Sequence, residues 1–137
     1  KLTRHETRYK SPGVWQPCSV VQISSDNPVV GGYEKNGEAH FVGRALHEGD
    51  NIPGKVVPSH GICYVSYYYK EHQHQHYQVL TNPHGANLIW VEASGGQVAT
   101  GALLGGKQAD GEKLYIGRAM HDGCMVVGKI NPSHGNY

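Results

Sequence analysis

Two lysines that lie 74 positions apart each stand between a glycine and a branched aliphatic residue, and each could donate hydrogen bonds to a hydroxylated ligand. Lys55 follows Pro53-Gly54, and Lys129 follows Val127-Gly128. We expect a glycine-containing turn to fix each ammonium group, which has three rotatable donors and no acceptor. The alternative is that both are ordinary solvated surface lysines.

Each half of the chain also has a residue with an acceptor oxygen at an equivalent position before its lysine. Glu34 follows Gly31-Gly32-Tyr33, and Gln108 follows Gly105-Gly106-Lys107. Both side chains can accept a hydrogen bond from a sugar hydroxyl, but only Glu34 does so as a charged acceptor. If these are binding residues, the first half should bind more tightly than the second.

Arg44 and Arg118 alternate with aliphatic residues along predicted strands, which directs them toward the core. One interpretation is a guanidinium group that binds a ligand. The other, favoured by the aliphatic neighbours, is a buried arginine that cross-links loops or pairs with Glu38, Glu112 or Glu71.

Two Ser-His pairs, Ser59-His60 and Ser133-His134, invite comparison with hydrolases. Adjacent side chains on an extended chain point to opposite faces, so neither pair can act as nucleophile and base. No Gly-x-Ser-x-Gly motif and no third catalytic group is present. We therefore expect hydrogen-bonded turns, and no enzyme.

His72, His74 and His76 alternate with glutamines, so on one strand they would share a face that could chelate zinc or copper. The other half has no such histidines, which favours a solvated polar stripe and no metal site. The preceding Tyr67-Tyr68-Tyr69 is either an exposed aromatic platform or part of a half-buried strand.

Apart from these histidines and tyrosines, the residues described so far belong to two copies of one longer pattern. The second copy follows the first at a constant offset of 74, without a gap: Phe41 to Gly49 recurs as Tyr115 to Gly123, Gly31-Gly32 as Gly105-Gly106, Asn36-Gly37-Glu38 as Asp110-Gly111-Glu112, Gly54-Lys55-Val56 as Gly128-Lys129-Ile130, and Pro58-Ser59-His60-Gly61 as Pro132-Ser133-His134-Gly135. A long period with one copy per half indicates a duplicated module.

The local sequence predicts an all-β, antiparallel fold. The 19 glycines and seven prolines leave no room for ordinary helices, and the segments between them are rich in Val, Ile, Tyr and Thr. Asn36-Gly37 and Asp110-Gly111 predict tight hairpin turns. On the strand that follows, Val42, Arg44 and Leu46 share one face, and small residues on the other face indicate close approach of another backbone.

We predict a single domain, 1–137, in which two pseudo-symmetric repeats share a core, because half of 137 residues would bury too little surface alone. The first repeat covers 15–80. The second covers 90–137 and lacks its closing strands, so we expect the N-terminal strand, 1–10, to complete it and cover an open edge.

Charge and composition exclude some partners and suggest a compartment. The formal net charge is +1 and no long basic run occurs, so neither nucleic acid nor an anionic membrane is favoured. No apolar run is long enough for a transmembrane segment. Three cysteines at non-equivalent positions and no Asn-x-Ser/Thr acceptor favour a reducing, cytoplasmic setting.

The combined motifs resemble the DM-nine repeat family over nearly the whole chain. The residues that carry the resemblance are Trp15, Val29 to Glu34, Gly37-Glu38, Phe41 to Ala45, Ile52 to Val56, Lys70-Glu71 and Tyr77 to Leu80, with a second copy from Trp90 onward. These are tandem-repeat proteins of invertebrates, and they are also similar to the amino-terminal module of natterin-like toxins. The resemblance implies a compact β-protein of two repeats.

In members studied as lectins, the resemblance implies calcium-independent, cofactor-free binding of mannose-type sugars or microbial polysaccharide in pathogen recognition, often by a homodimer. Their sugar-contacting acidic residue and lysine map onto Glu34 and Lys55, and in the second repeat onto Gln108 and Lys129. The amide of Gln108 and the replacement of Pro53 by Val127 weaken the second site. Other members resemble intracellular, infection-induced, vesicle-associated proteins, so the alternative is an interaction protein that has lost sugar binding.

Overall fold

The structure, a computed structural model, describes residues 2–4, 14–19, 27–85, 87–94, 97–98 and 100–134. These residues contain twelve strands, one 3-10 turn and no α-helix. The strands are β1 (Leu2–Arg4), β2 (Val14–Ser19), β3 (Val30–Tyr33), β4 (Ala39–His47), β5 (Asp50–Val57), β6 (Ile62–Tyr67), β7 (Lys70–His74), β8 (His76–Thr81), β9 (Leu88–Trp90), β10 (Leu104–Lys107), β11 (Lys113–His121) and β12 (Cys124–Ile130), and the 3-10 turn spans Pro132–His134. Every strand pairing is antiparallel, so the predicted fold class is confirmed.

Six strands close into a ring, three from each half of the chain. β4 pairs with β3 and β5, and β11 pairs with β10 and β12. The halves meet where β3 places Tyr33 opposite Met125 of β12, and where β10 places Lys107 opposite Asn51 of β5. These two junctions are related by the 74-residue offset of the sequence repeat. Each half therefore covers the edge of the other.

The remaining strands extend this ring. β6 and β7 form a hairpin beside β5, and β2 joins through β8 to β4. β1 pairs with β9 and places Leu2 opposite Trp90, just as β8 pairs with β2 and places Leu80 opposite Trp15. The N-terminal strand thus pairs with the strand that opens the second repeat, as predicted. It spans three residues, and the rest of the predicted strand, 5–10, lies outside the described residues.

Apolar side chains form two buried clusters. The cluster inside the ring takes Val42 from the first half and Ile116 and Val127 from the second, so the halves share a core as predicted. The second cluster lies between β4, β5 and the flanking strands of the first half. It contains Ala45, Ile52, Val56, Cys63, Val65, Tyr77 and Val79.

The predicted hairpin turns at Asn36-Gly37 and Asp110-Gly111 are present, and each glycine has a positive φ, of 88° and 93°. Asn36 and Asp110 contribute to the turns in a different way from the glycines. The side-chain Oδ1 of each accepts a hydrogen bond from the backbone N–H two residues later, at 2.9 Å. The sequence reading missed a two-residue turn of two positive-φ residues at Tyr68-Tyr69, with φ of 49° and 64°. Bulky side chains rarely adopt this conformation.

Strand β4 confirms one predicted face and corrects the other. A Cβ at Gly43 would lie 3.1 Å from the carbonyl oxygen of Gln78, so the small residues do allow a second backbone to approach. The aliphatic face does not stay in the core along its length. Val42 is buried, whereas Leu46, the next-to-last residue of the strand, is 69% exposed.

Candidate functional site

The two residues predicted for the first repeat are in direct contact. Lys55 Nζ lies 3.1 Å and 3.3 Å from the carboxylate oxygens of Glu34. The side chains are 14% and 21% exposed, so the pair is half-buried but reaches solvent. A charged donor and a charged acceptor are therefore presented side by side.

Their positions follow from the hairpin and from the strand beside it. Glu34 begins the β3–β4 turn, where its N–H donates to the carbonyl of Glu38. Lys55 lies opposite Val42 in the middle of β5, so the expectation that a turn holds this lysine is wrong. The glycine before it is needed for another reason, because a Cβ at Gly54 would collide with the carbonyl oxygen of Tyr64 on β6.

His40 is a third member of this site that the sequence reading missed. Its ring is fully buried, and its Nδ1 lies 2.9 Å from the Glu34 carboxylate. Burial lowers the pKa of His40, as does the charge of Lys55, while the hydrogen bond with Glu34 and its charge act in the opposite direction. The imidazole is therefore neutral near pH 7, and its Nδ1–H donates to the carboxylate.

Glu34 is held in its ionised form. Burial alone would raise the pKa of its carboxyl group, but the hydrogen bonds from Lys55 and His40, together with their charges, lower it below its usual range. A carboxylate that accepts hydrogen bonds from two side chains is held in one orientation.

Tyr64 forms a wall beside the pair. The ammonium of Lys55 lies 5.6 Å from the centre of its ring, and His60 Nδ1 lies 2.6 Å from its hydroxyl oxygen. Burial raises the pKa of this phenol, as do the charges of Glu71 and Glu34. The ring is thereby oriented with one face next to the polar pair, an arrangement that suits the C–H face of a sugar.

The second repeat has the same backbone but different chemistry. Gln108 begins a turn equivalent to that of Glu34, and its backbone N–H donates to the backbone carbonyl of Glu112 at 2.8 Å. Lys129 lies opposite Ile116 in β12, as Lys55 lies opposite Val42 in β5. The position of His40 is taken by Leu114, which is fully buried. The acid and its histidine are thus replaced together in the second repeat. Comparison of the two repeats at the 74-residue offset contains this signal.

Lys129 is half-buried, and this burial lowers the pKa of its ammonium group, while the charge of Asp50 acts to raise it. The ion pairs among the described residues do not include Lys129. The two candidate sites therefore differ in how the charge of their lysine is balanced. Lys55 is in direct contact with the carboxylate of Glu34, whereas Lys129 interacts with the carboxylate of Asp50 without an ion-pair contact.

The two arginines have structural roles. Arg44 donates to the side chain of Gln78 at 2.7 Å and to the carbonyl of Gly105 at 3.2 Å, and Arg118 donates to the carbonyl of Gly31 at 3.1 Å. Each guanidinium also stacks on a tryptophan, at 4.2 Å and 4.1 Å. Burial lowers the pKa of both groups. Each arginine thus donates to a backbone carbonyl in the other half of the chain. This matches the predicted structural cross-link, although it joins strands rather than loops, and not the alternative pairing with a carboxylate.

The carboxylates of Glu38 and Glu112 instead accept hydrogen bonds from the Pro-Ser-His turns. Glu38 accepts the N–H of Ser59 at 2.9 Å and its hydroxyl at 2.8 Å, and Glu112 binds Ser133 in the same way. The serine hydroxyl is thus bound to a carboxylate and not to its neighbouring histidine. This agrees with the predicted structural turns, although the acceptor is a side chain and not the backbone.

The three predicted histidines do not share one strand. A bend at Gln75 separates β7 from β8, so His76 begins a new strand, and His72 and His74 instead converge on His47. His47 Nδ1 lies 3.1 Å from His74 Nε2. The described residues contain no group of three or more histidine, cysteine or acidic side chains arranged to hold a metal ion. Of the three tyrosines, Tyr69 is 98% exposed.

Comparisons with known proteins agree with the repeat found in the sequence. The family model described as DM9 repeat matches residues 34–137, which is most of the chain and includes all four candidate binding residues. No curated protein sequence matches the chain. No helix in the described part of the chain is long and apolar enough to cross a membrane.

Proposed function

The chain belongs to the DM9 repeat family, whose domain is known generally as a carbohydrate-binding-like module, and we propose that it is a mannose-type lectin. It would bind glycans without calcium and without catalysis, with one site in each repeat. Its biological role would be recognition of microbial polysaccharide, by a protein located in the cytoplasm or at vesicles.

The contact between Glu34 and Lys55 is the observation that supports this proposal most strongly. A hexose presents neighbouring hydroxyl groups, of which one can donate to the carboxylate while the next accepts from the ammonium. Hydrogen bonds with one charged partner are about twice as strong as neutral ones. The ring of Tyr64 next to the lysine offers an apolar surface to the sugar C–H groups.

The charge of this site supports the proposal of calcium independence. Calcium requires roughly six to eight oxygen ligands. Here the carboxylate of Glu34 already faces the ammonium of Lys55 at 3.1 Å and the imidazole of His40 at 2.9 Å. A divalent cation would have to displace the lysine and would then lack ligands, so a chelator should leave binding unchanged.

A single monosaccharide held by so few polar groups should bind weakly, with a dissociation constant near 1 mM or about −4 kcal/mol. Two sites in one chain, or four in a homodimer, would bind a polyvalent glycan much more strongly because the later contacts are intramolecular. We therefore expect a mannose-rich polymer to bind far better than free mannose.

The test is a titration with mannose and with a mannose-rich glycan, followed by NMR and calorimetry, with and without chelator. Lys55→Ala should remove most binding to the first repeat and leave the spectrum of the fold intact. The matched control is Lys70→Ala, because Lys70 is an exposed lysine on β7. Unchanged affinity of Lys55→Ala would contradict the site. Absence of binding by the natural chain would refute the lectin function and favour an interaction protein that has lost its sugar site.

A further inference from the structure

Each candidate site has one carboxylate beside it, but the two carboxylates come from different sequence positions. In the first repeat the acid is Glu34, and its counterpart in the second repeat is the neutral Gln108. At the start of β5 the first repeat has Asp50, and its counterpart in the second repeat is Cys124. The acid that the second site lacks at position 108 is thus present at position 50.

The fold brings Asp50 to the second site and not to the first. Strand β5 lies against β10, and Asn51 is paired with Lys107, the residue before Gln108. The carboxylate of Asp50 accepts the N–H of Ala109, the residue after Gln108, at 2.7 Å. Asp50 is therefore anchored to the turn of the second repeat although it belongs to the first.

This carboxylate also acts on Lys129. Burial lowers the pKa of the half-buried Lys129, and the charge of Asp50 opposes that shift, so the two charges interact. They are not in ion-pair contact, since no ion pair within 4.0 Å joins them, whereas Lys55 touches Glu34 directly. A bridging hydroxyl group of a ligand can donate to the carboxylate and accept from the ammonium.

We propose that Asp50 is the charged hydrogen-bond acceptor of the second sugar site, which is built from both repeats. Lys129 and Gln108 come from the second repeat, and the ligand class is a neutral polyol such as a hexose. This inference rests on the proposed lectin function and adds to it a residue and an active second site. The neutral amide at position 108 then does not silence that site.

A purely structural role for Asp50 predicts different behaviour. In the described contacts only Oδ1 of Asp50 is engaged, by the N–H of Ala109, and this bond caps the turn. An asparagine carbonyl can accept the same N–H, so Asp50→Asn keeps the cap and removes only the charge. If Asp50 merely caps the turn, this substitution leaves sugar binding as it was.

The experiment uses the full chain with the first site removed by Lys55→Ala. Mannose titrations followed by NMR compare this variant with Lys55→Ala/Asp50→Asn and with Lys55→Ala/Cys124→Ser, the control at the equivalent position. We expect residual binding by Lys55→Ala, at least a tenfold weakening with Asp50→Asn, and no change with Cys124→Ser. A backbone amide spectrum of each variant checks that the fold is kept.

Other outcomes separate this inference from the lectin function. Equal affinity with and without the Asp50 carboxylate would overturn the inference. So would a complete loss of binding in Lys55→Ala while Lys129→Ala binds as the natural chain does, because the second site would then be inactive and the lectin function would stand. If the natural chain binds no mannose at all, both the function and the inference fail.

Discussion

Arg44 offers a quantitative test of how the two halves are held together. It connects β4 to Gln78 at 2.7 Å, to the carbonyl of Gly105 in the other half at 3.2 Å, and to the ring of Trp15 at 4.2 Å. Arg44→Met keeps an unbranched apolar side chain of similar reach and removes all three interactions. The Gly105 carbonyl, which is buried, then loses this donor.

The expected loss can be worked out contact by contact. Because the guanidinium is half-buried, we take the lower value of about 1.5 kcal/mol for each of its two charged hydrogen bonds. A cation–π contact adds about 1 kcal/mol. Arg44→Met should therefore reduce the free energy of unfolding by about 4 kcal/mol. Arg118 has one such carbonyl bond and one tryptophan contact, so Arg118→Met should cost about 2.5 kcal/mol.

Urea unfolding followed by tryptophan fluorescence measures both values, with the m-value as a check that unfolding stays two-state. Arg44→Lys serves as a control, because it keeps the charge but loses the planar fork, and it should fall between the natural chain and Arg44→Met. A loss below about 1 kcal/mol, or a larger loss at Arg118 than at Arg44, would refute the reasoning. Mannose affinity of the folded variants should be unchanged, since neither arginine contacts the candidate sugar sites.

Three further predictions concern the first repeat. Tyr69→Gly should stabilise the fold by about 1 kcal/mol, because this residue is 98% exposed and has a φ of 64° that glycine adopts without strain; a lower urea midpoint would contradict this. Burial raises the pKa of Cys63 to about 12, so iodoacetamide should leave this thiol unmodified in the folded chain and modify it in urea, as mass spectrometry can show. Burial also lowers the pKa of His40 and His74, and electrostatic interaction with His47 and His72 lowers that of His74 further. Below the ordinary histidine pKa of about 6.5, the unfolded chain then binds more protons than the folded one, so stability should fall as the pH drops from 7 to 5. His74→Gln should reduce this fall, and a flat urea midpoint over that range would contradict the lowered pKa values of the buried His40 and the half-buried His74.

The sequence predicted the features of the fold that depend on local chemistry and on the repeat. Glycine and proline spacing indicated an all-β chain, and the 74-residue offset indicated two halves with a common core. It could not predict the ring, because strand pairing between halves depends on a few long-range contacts, such as Tyr33 with Met125, that leave no periodic signal. The exposure of Leu46 was missed for a similar reason, since alternation gives the face of a residue but not the end of the core.

The candidate site was predictable where the resemblance named residues, and less so where neighbours matter. The motif assigns Glu34 and Lys55 to one binding site, and the structure brings their side chains into contact. His40 was missed because a single histidine in a strand has no distinctive spacing. Asp50 was missed because its carboxylate accepts a hydrogen bond from Ala109 in the other repeat. Alignment of the two repeats matches equivalent positions, and it cannot show which residue of one repeat contacts the other.

The closed ring has a consequence for how such chains can arise and grow. The first and last ring strands of each repeat pair with those of the other repeat. The two junctions are equivalent, as the two halves of the interface are in a two-fold symmetric dimer. A single ancestral repeat would thus have assembled as a pair, and gene duplication followed by fusion would turn that assembly into one chain. Addition of one further repeat leaves uncovered edges, whereas addition of two closes a second ring, so even repeat numbers should be favoured in longer relatives.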